Sequence, residues 1–410
     1  METPVLVYVD LGGVPTLAGR LWALMRKGRE RTSFEYDTGW LHHPARFSLE
    51  PALTLGPGAF HTPAGTALFG ALGDSAPDRW GRALMRRAER RRAERAGETP
   101  RTLREIDYLL RVDDEARQGA LRLAQVEGGP FLAAHGATRI PPLVELPRLL
   151  AATEHVIADA DSEEDLRLLL APGSSLGGAR PKASIRDRDG HLAIAKFPHR
   201  DDEIDTVRWE ATALALAEKA GLHVPAWRLE LVAGRPVLIL RRFDRIERAR
   251  IPFLSAMSML GASDHEMRSY LELVDVLRRY GAQPQEDMRA LWRRIVFSVL
   301  IANTDDHLRN HGFLHAGIDG WRLAPAYDLN PVPVDIKPRL LTTAIDLEDG
   351  TASLGLARSV APYFELDDRE AQRIVLEVEQ AVATWRQEAR RHGLTASQID
   401  RMASAFEPTA

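Results

Sequence analysis

Apolar positions recur along this chain at two spacings, and the change from one to the other divides it. Val5-Leu6-Val7-Tyr8-Val9 is a short apolar run that predicts a strand near the N-terminus. Ala183-Ser184-Ile185 and His191-Leu192-Ala193-Ile194-Ala195-Lys196 flank the turn signal Asp187-Arg188-Asp189-Gly190, which predicts a β-hairpin. A second hairpin is predicted where Trp227–Leu231 and Pro236–Leu240 flank Ala233-Gly234-Arg235. Between the hairpins, Asp205–Ala217 is Ala/Leu-rich and helical. Beyond them helical spacing dominates, in Asp287–Ile301 and in a long amphipathic stretch, Asp368–Ala389. Arg139-Ile140-Pro141-Pro142 marks a boundary, so the expected segments are 1–145, 146–245 and 246–410.

The polar residues that interrupt this pattern carry the candidate chemistry. Asn303-Thr304-Asp305-Asp306-His307-Leu308-Arg309-Asn310 follows the Asp287–Ile301 helix, and Asp328 comes after a short hairpin in Ala-Tyr-Asp-Leu-Asn-Pro. Asp305 would accept or orient the proton of an attacking hydroxyl. The Asn310 amide oxygen and the Asp328 carboxylate would hold Mg²⁺ against a nucleoside triphosphate. The D-x-x-x-x-N spacing matches the second half of a protein-kinase catalytic loop, although Thr304 stands where H-R-D would place arginine and Leu329-Asn330 replace the F-G of D-F-G. Taken alone, the same residues also read as a polar loop with a helix cap.

A second cluster lies upstream. Pro172-Gly173-Ser174-Ser175-Leu176-Gly177-Gly178-Ala179-Arg180-Pro181-Lys182 is a glycine-rich loop leading into the first hairpin, where backbone amides can approach phosphates closely. It is not a Walker A loop, since Ala179 occupies the lysine position. The order of loop, strand, turn and strand instead carries Lys196 toward the α- and β-phosphates, as in a kinase small lobe. Glu210, on the following helix, is an ion-pair candidate for Lys196, with a solvated helix glutamate as the plain alternative. The second hairpin runs into Arg241-Arg242-Phe243-Asp244-Arg245, where a hinge could read an adenine edge with Phe243 against the base. Of 54 basic residues only five are lysine, at 27, 182, 196, 219 and 337, leaving 49 arginines. Where arginine is the default cation, a lysine marks a place for a compact charge on a flexible stem.

Together these residues resemble the HipA-like serine/threonine kinases of bacterial toxin–antitoxin modules. The carriers are the SSLGGARPKA loop, LRRFDR, IANTDDHLRN, LAPAYDLNP, and an N-terminal block running from Leu68 to Arg82. The resemblance implies an α+β, two-lobed protein-kinase-like fold with an N-terminal α/β subdomain, a mixed small lobe carrying the glycine loop and hinge, and an all-helical C-lobe. It makes Asp305 the catalytic aspartate, Asn310 and Asp328 the metal ligands, and Lys196 the phosphate lysine. Ser175, Gly177, Gly178, Lys182, Arg241, Phe243, His307 and Tyr327 fall where such kinases contact the nucleotide, and Ser175 aligns with their autophosphorylated serine. A phosphoserine there would repel the triphosphate through its added negative charge. The loop departs from the family's usual Gln-Glu-Lys or Gln-Asp-Lys in having Arg180-Pro181-Lys182. The implied cofactors are ATP and Mg²⁺. The implied partners are a helix-turn-helix, HipB-like antitoxin, operator DNA only through that complex, and a protein substrate such as an aminoacyl-tRNA synthetase. A nucleotide-binding corepressor with little catalysis and a small-molecule kinase are the competing readings.

Composition narrows the class without naming it. With no cysteine, disulfides and thiolate metal sites are excluded, and no apolar run reaches the roughly eighteen residues needed to span a bilayer. The Met1-Glu2-Thr3-Pro4 start lacks signal-peptide features, so a cytoplasmic location is expected. A net charge of −4 argues against extensive nucleic-acid binding by this chain alone. Eight arginines between Arg79 and Arg95 read either as a DNA-phosphate surface or as a solvated, ion-paired helix face. His307, His311 and His315 have the four-residue spacing of helical metal ligands, but Gly312 argues against an unbroken helix there.

Overall fold

The computed structural model describes residues 4–133, 140–170, 178, 180–247, 249–264, 266–317 and 320–407. The chain forms two compact units, Met1–Arg200 with Leu231–Leu254, and Asp201–Glu230 with Ser255–Ala410. The expected boundary near residue 145 thus lies inside the first unit, and the expected segment 146–245 is divided, with 146–200 and 231–245 in the first unit and 201–230 in the second.

In the first unit, β1 (Val5–Leu11), β2 (Val14–Arg26), β3 (Arg29–Tyr36), β4 (Ala59–His61) and β5 (Leu121–Ala124) form an antiparallel sheet in the order β4-β3-β2-β1-β5. The predicted hairpin is β6 (Lys182–Arg186) and β7 (Leu192–Lys196), closed by Gly190 at φ 80°. Its alternation decides what faces what. Ala183, Ile185, Ala193 and Ala195 enter a core with α1 (Arg79–Ala96), α2 (Leu146–Ile157) and α3 (Glu163–Leu170). Lys182 and Lys196 stand directly opposite each other in the ladder, and so point to the other face. β8 (Trp227–Val232) and β9 (Arg235–Arg241) complete a second sheet in the order β6-β7-β9-β8.

Asp78 caps α1 by accepting from Gly81 N at 2.8 Å. Most arginines of this helix are ion-paired: Arg82 grips Glu105 with both nitrogens, Arg87 reaches Asp159 and Asp161, Arg92 reaches Glu89 and Glu98, and Arg95 reaches Glu163. Arg79, Arg86 and Arg90 are exposed and have no partner among the described residues.

The second unit is mainly helical, built on α4 (Thr206–Lys219), α5 (Tyr270–Tyr280), α6 (Pro284–Leu300), α7 (Asp368–Val382) and α8 (Trp385–Arg391). It also holds a hairpin, β10 (Gly312–His315) with β11 (Trp321–Leu323), so the expectation of an all-helical C-terminal segment needs that addition. The single helix expected over 368–389 breaks at Ala383-Thr384. There Thr384 N bonds the carbonyl of Ala381 and its hydroxyl back-bonds the same oxygen at 2.8 Å, tightening the turn. The break lets Trp385 stack on Phe406 at 4.5 Å while Trp209 of α4 packs against both. Among the described residues, no helix is long and apolar enough to cross a membrane.

Candidate active site

Helix α6 ends where Ala302 adopts a left-handed φ of 48°, which turns the chain into the 303–310 loop. Asn303 is buried at the turn. Its Oδ1 accepts from Asn330 N at 3.1 Å and its Nδ2 donates to Ser298 Oγ at 3.4 Å, tying the helix end to the segment after Asp328. Asp305 itself is exposed, and Lys337 Nζ lies 2.9 Å from its Oδ1.

The β10–β11 hairpin brings Asp328 back toward the loop. Ala324 N bonds Gly312 O at 2.8 Å, and further along Tyr327 donates its hydroxyl to Arg309 O at 2.8 Å. Residues 327–328 are thereby drawn alongside 309–310. Asn310 is buried, with Nδ2 donating to Asp305 O at 3.0 Å, so the loop itself sets the orientation of its amide. The Asn310 amide oxygen is then the atom left for a hard cation. Asp328 has φ 58°, a conformation that aspartate tolerates, and accepts from Asn330 Nδ2 at 3.4 Å. An amide oxygen and a carboxylate fit magnesium, which keeps waters and phosphate oxygens for its other positions. His307 is half-buried, and its Nδ1 is buried without a hydrogen-bond partner among the described residues.

Beneath the loop lies a residue that motif reading passes over. Asp306 is buried and receives the Tyr270 hydroxyl and Ser298 Oγ (3.2 Å) on Oδ2, while His311 Nε2 stands 2.9 Å from Oδ1. That His311 contact is an electrostatic approach rather than an aligned hydrogen bond. Burial pushes the Asp306 carboxyl up, but His311, Tyr270 and Ser298 outweigh burial and hold it below the usual carboxylate range. Its backbone is clamped as well: Thr343 donates Oγ1 to Asp306 O at 2.7 Å, and Thr342 donates Oγ1 to Thr304 O at 2.9 Å. The Asp-Asp doublet could not have singled Asp306 out, since the chain has three others, at 113–114, 201–202 and 367–368. Tyr270 gave no signal, since it sits on the apolar face of an ordinary helix.

The three-histidine alternative does not form. Residues 308–310 make a 3₁₀ turn and 312–315 a strand, which removes the helical spacing. His311 serves Asp306, and burial on the strand pushes His315 down to about 4. Among the described residues no group of three or more His, Cys, Asp and Glu side chains is placed to hold a metal ion.

In the first unit, Ser174, Ser175 and Gly177 lie outside the described residues. Gly178 is described. It has φ 87°, a backbone conformation that favours glycine, and a Cβ there would stand 2.8 Å from Lys182 Nζ. Lys182 is buried, and its Nζ is 3.2 Å from Asp78 Oδ2. Burial pushes the Asp78 carboxyl up to about 6 despite the lysine. Lys182 thus fastens β6 to the cap of α1 while its ammonium stands beside Gly178. Lys196 is half-buried on β7 of the first unit, and Glu210 is buried on α4 of the second. Ser184, on the face shared by the two lysines, has a buried hydroxyl with no hydrogen-bond partner among the described residues, which suits a site that receives a polar ligand.

The Arg241–Phe243 stretch is anchored, with Arg241 exposed, Arg242 buried and Phe243 half-buried. Arg241 Nη2 donates to His191 Nε2 at 2.8 Å, and the Phe243 ring packs 6.3 Å from that of Phe253. Arg242 N bonds Leu192 O, and its guanidinium is buried on Asp244 and the carbonyls of Ala116 and Arg117. Asp244 also receives Arg245 and the Gly119 amide.

Three comparisons place this architecture among known proteins. The HipA-like C-terminal domain family matches residues 174–385, just over half of the chain. A Sinorhizobium fredii protein named "Putative kinase Y4mE" is 29% identical over 242 residues, 52% of this chain and 54% of that protein. A Haemophilus influenzae protein named "Putative kinase" is 24% identical over 208 residues, 44% of this chain and 61% of that one. The chain therefore spans between half and two thirds of the length of these relatives. Among solved structures, HipA from the Shewanella oneidensis complex of HipA, HipB and operator DNA superposes with a TM-score of 0.65 at 16% identity, covering 98% of this chain and 95% of that one. At that identity the likeness speaks for the fold alone: a kinase-like α+β fold of the HipA type.

Proposed function

Since the chain belongs to the HipA-like family, we propose that it is an ATP- and magnesium-dependent protein kinase that phosphorylates serine or threonine and serves as the toxin of a toxin–antitoxin pair. The observation that carries this reading is the second unit's loop. It leaves the Asp305 carboxylate exposed while its neighbours Asn303, Asp306 and Asn310 are buried and hydrogen-bonded, a rigid frame around one accessible base. In this reading Asp305 orients the acceptor hydroxyl and takes its proton. Asn310 and Asp328 would hold magnesium, whose charge would neutralise phosphate oxygens. Lys196, with Lys182, Gly177 and Gly178, contacts the phosphates. Arg241, Phe243, His307 and Tyr327 line the rest of the nucleotide, and Ser175 is the autophosphorylated residue.

The solved relative was captured with HipB and operator DNA. That supports a helix-turn-helix antitoxin as this chain's partner, with DNA reached through the complex. The proposed acceptor is a translation component such as an aminoacyl-tRNA synthetase, and the proposed location is the cytoplasm. The test is intact mass after incubation with ATP and Mg²⁺, beside Asp305→Asn. One phosphate gained by the wild type alone, mapped to Ser175, is the expected result. A gain in both proteins would remove Asp305 from its role, and a gain in neither would overturn the kinase assignment.

A further inference from the structure

The loop's one exposed carboxylate has a specific neighbour, and its setting suggests more than a surface ion pair. Lys337 Nζ stands 2.9 Å from Asp305 Oδ1, with the two side chains 48% and 59% exposed. A pair so open to water contributes little to folding. Yet the segment presenting Lys337 is fastened on both sides of it. Before it, Val332 N bonds Ala302 O at 3.1 Å and Val334 N bonds Ser404 Oγ at 3.1 Å. After it, Arg339 donates to the carbonyls of Val299, Ser404 and Ala405, and Thr342 bonds Thr304 O. Pro338 restricts the backbone of Lys337, and the Lys337 amide closes a turn onto Pro333 O at 3.2 Å. The ammonium is therefore delivered to Asp305 by the same framework that holds the loop.

The choice of residue points the same way. In a chain with 49 arginines and five lysines, most surface ion pairs use arginine, but this one uses lysine. The loop's own arginine, Arg309, is turned away onto Asp264 at 3.1 Å. A guanidinium would lock onto a carboxylate with two parallel bonds. An ammonium is a compact charge on rotatable bonds that can change partner.

We propose that Lys337 is a second functional cation of the transfer site. It holds the Asp305 carboxylate in the resting protein and swings to the transferring phosphoryl group once Asp305 takes the acceptor's proton. This rests on the kinase reading above. In the reaction the acceptor oxygen forms a bond to the γ-phosphorus, and the bond from that phosphorus to the β–γ bridging oxygen breaks. The electron pair leaves on ADP, and the hydroxyl proton passes to Asp305. That proton cancels the charge that held Lys337, so the ammonium is released as negative charge gathers on the phosphoryl oxygens. Lys337 keeps its own proton throughout.

The test compares wild type, Asp305→Asn, Lys337→Met and Lys337→Arg in initial rates of phosphate transfer from MgATP to the chain itself. Affinity for the non-hydrolysable analogue AMP-PNP and melting temperature are measured alongside. Lys337→Met should lower kcat about 100-fold, with KM for ATP and AMP-PNP affinity within about threefold and melting unchanged. Lys337→Arg should recover roughly tenfold of that loss, because it restores charge but not mobility. If Lys337→Met keeps near-full kcat, loses only KM, or gains nothing from arginine while Asp305→Asn is inactive, the role of Lys337 is overturned and the kinase reading stands. An inactive wild type, or an active Asp305→Asn, would bring down both.

Discussion

Two buried aspartates, one in each unit, show how the same group can be kept charged for different ends. Asp244 in the first unit sits among guanidiniums: Arg242 and Arg245 bind it at 2.6 and 2.8 Å, and the Gly119 amide adds a third contact. Burial pushes its carboxyl up, yet the two arginines overcome this and hold it far below the usual range. Those arginines also bond the carbonyls of residues 115–119, so the cluster fastens the chain leaving β9 to the segment before β5. Asp306 in the second unit sits among a phenol, a hydroxyl and an imidazole, all within one loop and the helices under it. The guanidinium cage joins distant parts of a fold. The cage around Asp306 sets the shape of a loop in which the preceding residue, Asp305, is the candidate base.

Removing the charge should separate these roles. Asp244→Asn leaves two buried guanidiniums short of a counter-charge, and should cost about 3–5 kcal/mol in urea unfolding. Amide exchange in 303–310 should be unchanged by it. Protection lost first in that loop would show that the cluster serves the site instead.

A third buried carboxylate sharpens the contrast, because among the described residues no cation forms an ion pair with it. Glu50 accepts from Ala71 N at 2.6 Å, and burial pushes it up to about 7. A folded value above the ordinary one means that Glu50 contributes stability fully below about pH 4.5 and loses it as pH rises through 7. The span amounts to about 3 kcal/mol. Asp306 has the opposite sign: its stabilisation is present above the ordinary carboxylate range and lost as pH falls through its lowered value. Unfolding followed from pH 5 to 8 should show Glu50→Gln flattening the alkaline decline, and an unchanged slope would remove Glu50 as its cause.

Asp306→Asn should cost about 2 kcal/mol and reduce phosphate transfer at least tenfold, with AMP-PNP affinity within about threefold, because the loop is loosened and the nucleotide contacts are kept. Rates equal to wild type would reduce the cage to a stability element. Tyr270→Phe removes one donor to Asp306 and should cost about 1.5 kcal/mol in thermal unfolding, with Ser298→Ala the smallest at about 1 kcal/mol or less. The reverse order would mean that the serine, which Asn303 also reaches, is the main support.

The candidate site was legible in the sequence where its chemistry is local. Asp305, Asn310 and Asp328 are separated by a tight loop and a short hairpin, and the hairpin with the Tyr327–Arg309 bond draws residues 327–328 alongside 309–310. The hairpin strands were also readable, because alternation and a Gly-ended turn are local signals. Lys337 and Tyr270 were not readable as site residues. Their contacts to 305 and 306 depend on how the 332–343 segment and α5 lie against the loop, and no short spacing encodes that. The LRRFDR stretch was legible as a motif but not in its side-chain role. Arg242 and Asp244 act on residues more than a hundred positions earlier in the chain.

By itself, then, the sequence determined the hairpins and helices whose pattern is local, the spacing of the loop, and the scarcity of lysine, because backbone preference and side-chain periodicity act over a few residues. Tertiary structure alone decided which aspartate of the Asp305-Asp306 pair is exposed and which is buried, and which lysine meets the exposed one. Burial and ion pairing depend on what the rest of the chain brings to a point, and that is known only once the chain has folded.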